Sequence, residues 1–291
     1  MIKTRRQEAI GWHQTEATVK SLLWLVIIVY LVSAVMLSVF QRKMLYFPQP
    51  AMSMLGEKNS RFTVNGVTLS GWVINPGQPE ALIYYGGNAE SIELTIPFFR
   101  FLTGLTRQME WALPFPPLPE RLTHVSVYLI PYRGYGDNPG HPTEQHLYRD
   151  AVALFDQIAP RHQSVSLMGR SLGSGVATYV AAARPVEHLV LVTPFDSIER
   201  VARDFYWMFP VSLLLKDKFA SVARVEAITA PTTVIIAEHD QIISRVRTDA
   251  LITHFPLRQV AVFVIAGAEH NNLQLFPDYA TAVIGAFLSR T

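Results

Sequence analysis

A serine flanked by two glycines is the motif of this chain with the clearest chemical meaning. It reads Gly169-Arg170-Ser171-Leu172-Gly173 and follows an alternating, strand-type run from Val165 to Met168; a small-residue helix pattern comes after it. Glycines at these two places leave room for a tight turn, where other side chains would collide with the neighbouring backbone. The turn predicts an exposed nucleophilic hydroxyl on Ser171. The alternative is an ordinary turn between a strand and a helix.

Asp240 and His270 are the two residues that could activate this serine. Each follows a predicted buried strand, as Ser171 does. The carboxyl ends of strands in a parallel sheet meet at one edge, so the three side chains are expected to lie together. A serine hydroxyl is a weak nucleophile at neutral pH, so it needs a base, and that base needs a carboxylate to orient it. We predict that His270 is the base and Asp240 its partner.

Other residues compete for these two roles. Asp196 also follows a strand and could replace Asp240 as the acid. His239 adjoins Asp240 but should point the other way from the strand end, which makes it the weaker base. A metal site would need closely spaced ligands, and neither His-x-x-x-His nor Glu-x-x-His occurs. We therefore predict no metal and no cofactor. Three more histidines lie before the serine and need no chemical role: His141, His146 and His162.

Two backbone N–H groups are predicted to stabilise negative charge at the same edge. The N–H of Leu172 begins the helix after the nucleophile. A second donor is expected after the strand Ala81 to Tyr85, where Gly86-Gly87 leads into Asn88. We assign that donor to the N–H of Asn88. Read alone, the glycine pair could also be an ordinary turn.

Strand-type and helix-type segments alternate through the rest of the chain. Such alternation predicts an α/β fold with a mostly parallel sheet and helices on both faces. An early hairpin around Asn65-Gly66 is expected at an antiparallel edge. Further strands are predicted at 125–130, 188–192, 232–237 and 260–265, and helices at 91–102, after Thr143, at 245–255 and at 277–288.

Three segments between these elements have an unusual composition. Gly104 to Glu120 contains four prolines and is predicted to be a surface insertion. Residues 199–227 are rich in aromatic and aliphatic side chains, so they could form a lid over an apolar pocket, plain core or a membrane-facing patch. In the loop after the strand at 125–130, we expect Arg133 and Asp137 to fix the loop rather than bind substrate.

Length and composition exclude several classes of protein. The 291 residues suffice for one large α/β domain. With no cysteine, the chain has no disulfide, no thiolate metal site and no cysteine nucleophile. A formal net charge of +2, without a basic stripe, does not favour nucleic acid as a partner.

An uncharged apolar run from Leu22 to Phe40 stands near the N-terminus. About 20 such residues are needed to cross a bilayer as a helix. We predict a tail at 1–21, a transmembrane anchor at 22–40, a connector at 41–60 and a catalytic domain at 61–291. A buried core helix and a signal peptide cleaved near Val32-Ser33-Ala34 are the alternatives. The basic residues that flank the run only weakly favour an N-terminus on the inner side of the membrane. The side of the membrane that the domain faces therefore stays open.

These motifs together resemble a known family. The chain is similar to membrane-anchored, single-pass α/β-hydrolases of bacteria and eukaryotes, which carry an apolar anchor, a Tyr-Phe-Pro connector, an Arg-Gly-Tyr-Gly loop and a Gly-x-Ser-x-Gly elbow. Here these are Leu22 to Phe40, Tyr46 to Pro48, Arg133 to Gly136 and Gly169 to Gly173. The resemblance covers nearly the whole chain from Arg42. One departure is Gly86-Gly87-Asn88, where many relatives have His-Gly-Asn.

The resemblance implies an α/β-hydrolase fold and a serine hydrolase with Ser171, Asp240 and His270 as its triad. The implied substrates are acyl esters, thioesters or acylated proteins, and the implied partner is a lipid bilayer, such as the bacterial inner membrane. A serine peptidase on the same fold is the second reading. An inactive membrane scaffold is the third. The fold does not choose among substrates, and oligomeric state stays unassigned.

Overall fold

Eight strands of the described residues form one sheet. The computed structural model describes residues 2–52, 58–106, 118–256 and 258–288. The strands are β1 (Ser60–Val64), β2 (Val67–Ile74), β3 (Glu80–Tyr85), β4 (Val125–Leu129), β5 (Ser164–Arg170), β6 (Leu189–Val192), β7 (Thr232–Ala237) and β8 (Val260–Ile265).

The sheet is mostly parallel, as the alternating pattern predicts. Its strand order is β1-β2-β4-β3-β5-β6-β7-β8, and only the pairs β1–β2 and β2–β4 are antiparallel. The hairpin at that edge turns at Asn65 and Gly66, which both have positive φ, as a type I′ hairpin turn requires. The parallel strands all deliver their carboxyl ends to one side of the domain.

Helices cover both faces of the sheet. The α-helices among the described residues are α1 (Ile2–Leu45), α2 (Ile96–Leu102), α3 (Glu144–Ile158), α4 (Leu172–Ala183), α5 (Ile198–Phe205), α6 (Val211–Leu214), α7 (Arg245–Ile252) and α8 (Pro277–Leu288). One buried cluster joins the sheet to α3, α4 and α7, and a second joins it to α2 and α8. A sheet with an apolar core on each face explains why β4 to β7 consist mainly of buried residues.

Two local predictions differ from the structure. We expected one helix from Ser91, but a 3-10 helix (Ile92–Thr95) precedes α2 and the Ser91 side chain makes no capping hydrogen bond. We also expected a buried strand at 260–265; β8 lies at the sheet edge, and only Ile265 is buried. Thr143, in contrast, caps α3 as predicted by accepting a hydrogen bond from the N–H of His146 at 3.1 Å.

The N-terminal helix α1 is longer than the predicted anchor. It continues past Phe40 to Leu45, so the start of the predicted connector is helical. Within it, Thr18–Leu45 is apolar and long enough to cross a membrane. The side chains of this stretch are mostly exposed, in contrast to those of a core helix. Residues 53–57 of the connector, and residues 107–117 of the proline-rich segment predicted as an insertion, lie outside the described residues.

Candidate active site

The turn at Ser171 joins β5 to α4 in a conformation that serine rarely adopts. Its φ is 50° and its ψ is −117°. A Cβ atom on Gly173 would overlap the carbonyl oxygen of Tyr85, and one on Gly169 would overlap that of Gly173. Both glycines are therefore required for the close approach of the turn to the neighbouring backbone. This arrangement holds the serine at the carboxyl end of the sheet, where strained residues often serve function.

The three predicted side chains meet in one chain of hydrogen bonds. The Oγ of Ser171 lies 2.9 Å from Nε2 of His270, and Nδ1 of the same ring lies 2.7 Å from Oδ2 of Asp240. The His270 and Asp240 side chains are both buried. The carboxylate favours the tautomer with a proton on Nδ1, which leaves Nε2 able to accept the serine proton.

Asp240 is itself held by the backbone of the loop after β7. Its Oδ1 accepts hydrogen bonds from the N–H groups of Ile242 at 2.9 Å and Ile243 at 2.8 Å. These bonds orient the second oxygen, Oδ2, toward His270. A carboxylate fixed in this way can hold an imidazole in one orientation.

The competing residues have other partners. Asp196 is fully buried, but its Oδ2 accepts from Arg200 at 3.1 Å and from Arg247 at 3.2 Å. His239 is exposed and lies near Glu238. The structure thus pairs His270 with Asp240 rather than with Asp196.

The residues that carry the two predicted oxyanion donors both line the cavity next to Ser171. Leu172 is the first residue of α4, where N–H groups lack intrahelical acceptors. Asn88 and Leu172 line the same cavity as the serine. The side-chain oxygen of Asn88 accepts from the N–H of Phe47 and from the hydroxyl of Tyr135, each at 2.9 Å. The amide side chain thus ties the residues just after α1 to the loop after β3, and the backbone N–H of Asn88 stays the predicted donor.

A buried ion pair next to the serine is absent from the sequence-based predictions. Glu90 accepts hydrogen bonds from the N–H of Gly87 and from the hydroxyl of Tyr84, and lies 3.4 Å from Nη1 of Arg170. Arg170 also donates to the carbonyl oxygen of His270 at 2.9 Å. Burial, together with the Glu90 charge, raises the pKa of the Tyr84 hydroxyl well above its usual range, so it remains a donor. The sequence feature that could have indicated this ion pair is Arg170, a charged residue inside the Gly-x-Ser-x-Gly motif.

A cavity of about 450 Å³ adjoins Ser171 and His270. Its walls are mostly apolar, and no Asp, Glu, Lys or Arg is among the described residues that line it. Cavities of this size and lining suit apolar ligands. Side chains from α1 and from the segment after α5 contribute to the walls: Leu37, Met44, Leu45, Tyr206, Phe209, Leu214 and Leu215.

The remaining candidates have structural partners. Arg133 forms a buried, bidentate pair with Asp150, at 2.6 and 2.7 Å, which fixes the loop after β4 as expected. Asp137 occupies a positive-φ position in that loop. His146 contacts the carbonyl of His141, and His162 contacts Tyr128. Among the residues that the structure describes, no group of three or more His, Asp or Glu side chains could hold a metal ion.

The strand order, the elbow and the position of the three side chains define the α/β-hydrolase fold. Solved structures with this fold are similar to the chain. The Pyrococcus furiosus esterase Pf2001 gives a TM-score of 0.58 at 18% identity, covering 84% of this chain and 97% of the other. The ferulic-acid complex of Est1E from Butyrivibrio proteoclasticus gives a TM-score of 0.58 at 13% identity, covering 79% and 100%.

Relatives by sequence place the chain in a family. The uncharacterized protein Rv2307c of Mycobacterium tuberculosis is 31% identical over 251 residues, which are 81% of this chain and 82% of that protein. The chain belongs to the same family as this protein. Alpha/beta hydrolase domain-containing protein 17C of Xenopus laevis is 25% identical over 211 residues, 70% of this chain and 60% of that protein. No protein-family model matches the chain.

Proposed function

We propose that this protein is a membrane-anchored serine hydrolase that cleaves carboxylic esters or thioesters of acyl groups. The observation that carries the proposal is the unbroken relay from Ser171 Oγ through His270 to Asp240, with separations of 2.9 and 2.7 Å. The relay borders an apolar cavity, which supports an acyl group as the part of the substrate that is bound. The similarity to an esterase fold agrees with this class of reaction.

In the first half of the reaction, Ser171 Oγ attacks the carbonyl carbon of the substrate. Its proton passes to Nε2 of His270 as the new C–O bond forms. The tetrahedral intermediate carries negative charge on the former carbonyl oxygen, which the N–H groups of Leu172 and Asn88 would stabilise. The bond to the alcohol or thiol then breaks, and the leaving group takes the proton from His270.

In the second half, water releases the acyl group. His270 accepts a proton from the water as its oxygen attacks the acyl-enzyme carbonyl. The bond to Ser171 breaks, its oxygen regains the proton, and a carboxylic acid leaves. Asp240 stabilises the imidazolium in both halves through the 2.7 Å hydrogen bond to Nδ1.

The membrane part of the proposal rests on α1. Thr18–Leu45 is 28 residues long and mostly exposed. In water this large apolar surface would be unfavourably hydrated, which supports a bilayer as its environment. Its end packs on the domain, where Arg42 Nε lies 2.9 Å from the buried Asp217 carboxylate. An anchor attached in this way would hold the catalytic edge next to a bilayer.

Turnover of p-nitrophenyl butyrate and p-nitrophenyl palmitate by the full chain tests the proposal. Ser171→Ala should lower kcat/KM by several orders of magnitude and abolish labelling by a fluorophosphonate probe. The matched control is Ser60→Ala on β1, which removes a hydroxyl without touching the relay. Equal turnover by the parent and by Ser171→Ala would reject the proposal, as would labelling that survives this substitution.

A further inference from the structure

An uncharged segment after α5 runs along the N-terminal helix. Residues 206–215, here called the apolar segment, contain no charged side chain. At one end, the Tyr30 ring stacks on Phe209 with centroids 5.1 Å apart, and its hydroxyl donates to the carbonyl of Met208 at 3.0 Å. At the other end, Gln41 Nε2 donates to the carbonyl of Leu214 at 3.0 Å. The segment therefore follows α1 from Tyr30 to Gln41.

These contacts fix the depth of the apolar segment relative to the anchor. Tyr30 and Gln41 are about 16 Å apart along the axis, at 1.5 Å per residue. Arg42 and Lys43 mark the polar end of the anchor, while Tyr30 lies near the middle of its uncharged run. A hydrocarbon core is about 30 Å thick, so a spanning α1 would carry Met208 and Phe209 deep into one leaflet.

The apolar segment has a surface suited to that depth. Trp207 is 79% exposed and Leu213 is 84% exposed, with Met208 and Phe205 beside them also exposed. Backbone N–H groups in a bilayer need internal acceptors. Pro210 has no N–H, and several neighbours donate to carbonyls of the same region: Tyr206, Phe209, Val211, Leu213, Leu214 and Leu215.

The same two elements form walls of the catalytic cavity. Leu37 and Met44 of α1 line it on one side, and Phe209 and Leu214 of the apolar segment also contribute. The cavity is thus bounded by elements that a spanning α1 would place in the membrane. An acyl chain that enters between them would reach Ser171 without crossing water.

We infer that the apolar segment is inserted in the bilayer and that the substrate is a glycerolipid ester resident in that leaflet. Its acyl chain enters the cavity between α1 and the apolar segment. The absence of charged side chains among the described lining residues agrees with a neutral chain as the bound part. This inference rests on the proposed hydrolase function for the chemistry, whereas the position of the segment can be measured independently of activity.

Fluorescent labels measure that position. The chain has no cysteine, so Trp207→Cys and Leu213→Cys each provide one labelling site. The matched exposed control is Leu105→Cys, because Leu105 lies in the connection between α2 and β4. In phosphatidylcholine vesicles, labels at 207 and 213 should be quenched by nitroxide lipids and protected from aqueous iodide, and the label at 105 should show the reverse. Iodide access at 207 and 213 equal to that at 105 would overturn the inference.

Hydrolysis tests the substrate class. Leu213→Glu should reduce oleate release from dioleoylglycerol in phosphatidylcholine vesicles at least tenfold, while turnover of soluble p-nitrophenyl butyrate stays within twofold. Leu105→Glu should change neither rate. Equal losses on both substrates overturn the inference, and so does a parent that cleaves a thioacylated transmembrane peptide in the vesicles but releases no oleate. If Ser171→Ala leaves butyrate turnover unchanged, the hydrolase proposal fails and the lipid substrate with it, but the labels still report the depth.

Discussion

Arg170 contacts both the loop after β3, which contains Glu90, and the loop after β8, which contains His270. Its Nη1 atom lies 3.4 Å from Glu90 Oε2, and its Nη2 atom donates to the carbonyl oxygen of His270 at 2.9 Å. Glu90 in turn accepts from the N–H of Gly87, immediately before the predicted donor Asn88. Although burial opposes its charge, the negative charge of Glu90 helps to raise the pKa of Arg170 above its usual value. One ion pair thus contacts two loops that, in the proposed reaction, act on the same carbonyl group.

Glu90→Gln should impair catalysis more than binding. Removal of the carboxylate charge leaves Arg170 buried without its counterion and loosens the bond to the His270 backbone. Since small misplacements of catalytic groups are costly, we expect kcat for p-nitrophenyl butyrate to fall by about 100-fold with KM nearly unchanged. Tyr84→Phe is the control. It removes one hydroxyl that donates a hydrogen bond to the Glu90 carboxylate, and the variant should retain most of kcat. A Glu90→Gln enzyme that changes only KM would contradict this positioning role.

The identity of the acid can be tested by a pair of substitutions. Asp240→Asn should reduce kcat by about 10⁴, since the amide no longer favours the active imidazole tautomer. Asp196→Asn should keep kcat but lower the free energy of unfolding by about 1–3 kcal/mol, because Arg200 and Arg247 lose a charged partner. Kinetics and urea denaturation of both variants provide the measurement. The reverse pattern would assign the acid role to Asp196.

A substitution at the elbow tests its backbone geometry. Gly173→Ala places a methyl group against the carbonyl oxygens of Tyr85 and Gly86, so we expect a loss of about 3 kcal/mol in the free energy of unfolding. Gly285→Ala in α8 is the matched control, because its added Cβ lies 4.0 Å from Phe263. It should increase stability by about 0.5–1 kcal/mol. Similar denaturation midpoints for the two variants would contradict the close approach.

Acid should destabilise the fold through His188. Burial, with a smaller contribution from Arg121, lowers the pKa of His188 from 6.5 to about 4. Between these values the unfolded chain binds a proton that the folded chain does not, so stability is full above pH 6.5 and falls toward pH 4. The loss is on the order of 3 kcal/mol.

His188→Gln should flatten this part of the stability curve. Denaturant midpoints measured from pH 4 to pH 8 for the parent and the variant check the prediction. The control is His254→Gln, which removes an exposed imidazole elsewhere in the fold. Parallel curves for the parent and His188→Gln would contradict the assigned pKa.

Sequence patterns predict the sheet well because its central strands are continuous apolar runs. The bounds of β7 and α8 follow directly from such patterns, and Asn65-Gly66 specifies the first hairpin. The meeting of Ser171, Asp240 and His270 agrees with the rule that parallel strands present their ends at one edge, and their catalytic roles stay a prediction. Local sequence patterns do not predict the burial of a strand when contacts with residues far away in the chain determine it. The burial of β8 depends on its edge position, which its own apolar residues do not reveal.

Long-range contacts also explain what the sequence left open. Two hydrogen-bond partners of Gln41, Leu214 and Lys216, lie more than 170 positions away along the chain. These contacts extend α1 beyond the apolar run and place its last turns against the domain. Similarly, the pairing of Glu90 with Arg170 joins the loop after β3 to the end of β5, which no short motif connects.

The contribution of Leu37, Met44 and Leu45 to the cavity has a practical consequence for how this enzyme is produced. A shortened version that starts after α1, the usual choice for easy purification, would lack these three side chains on one side of the cavity beside Ser171. Such a version could still react with small chromogenic esters at Ser171, yet its preference for chain length would be that of an incomplete pocket. Substrate profiles recorded on it would describe the shortened molecule rather than the enzyme.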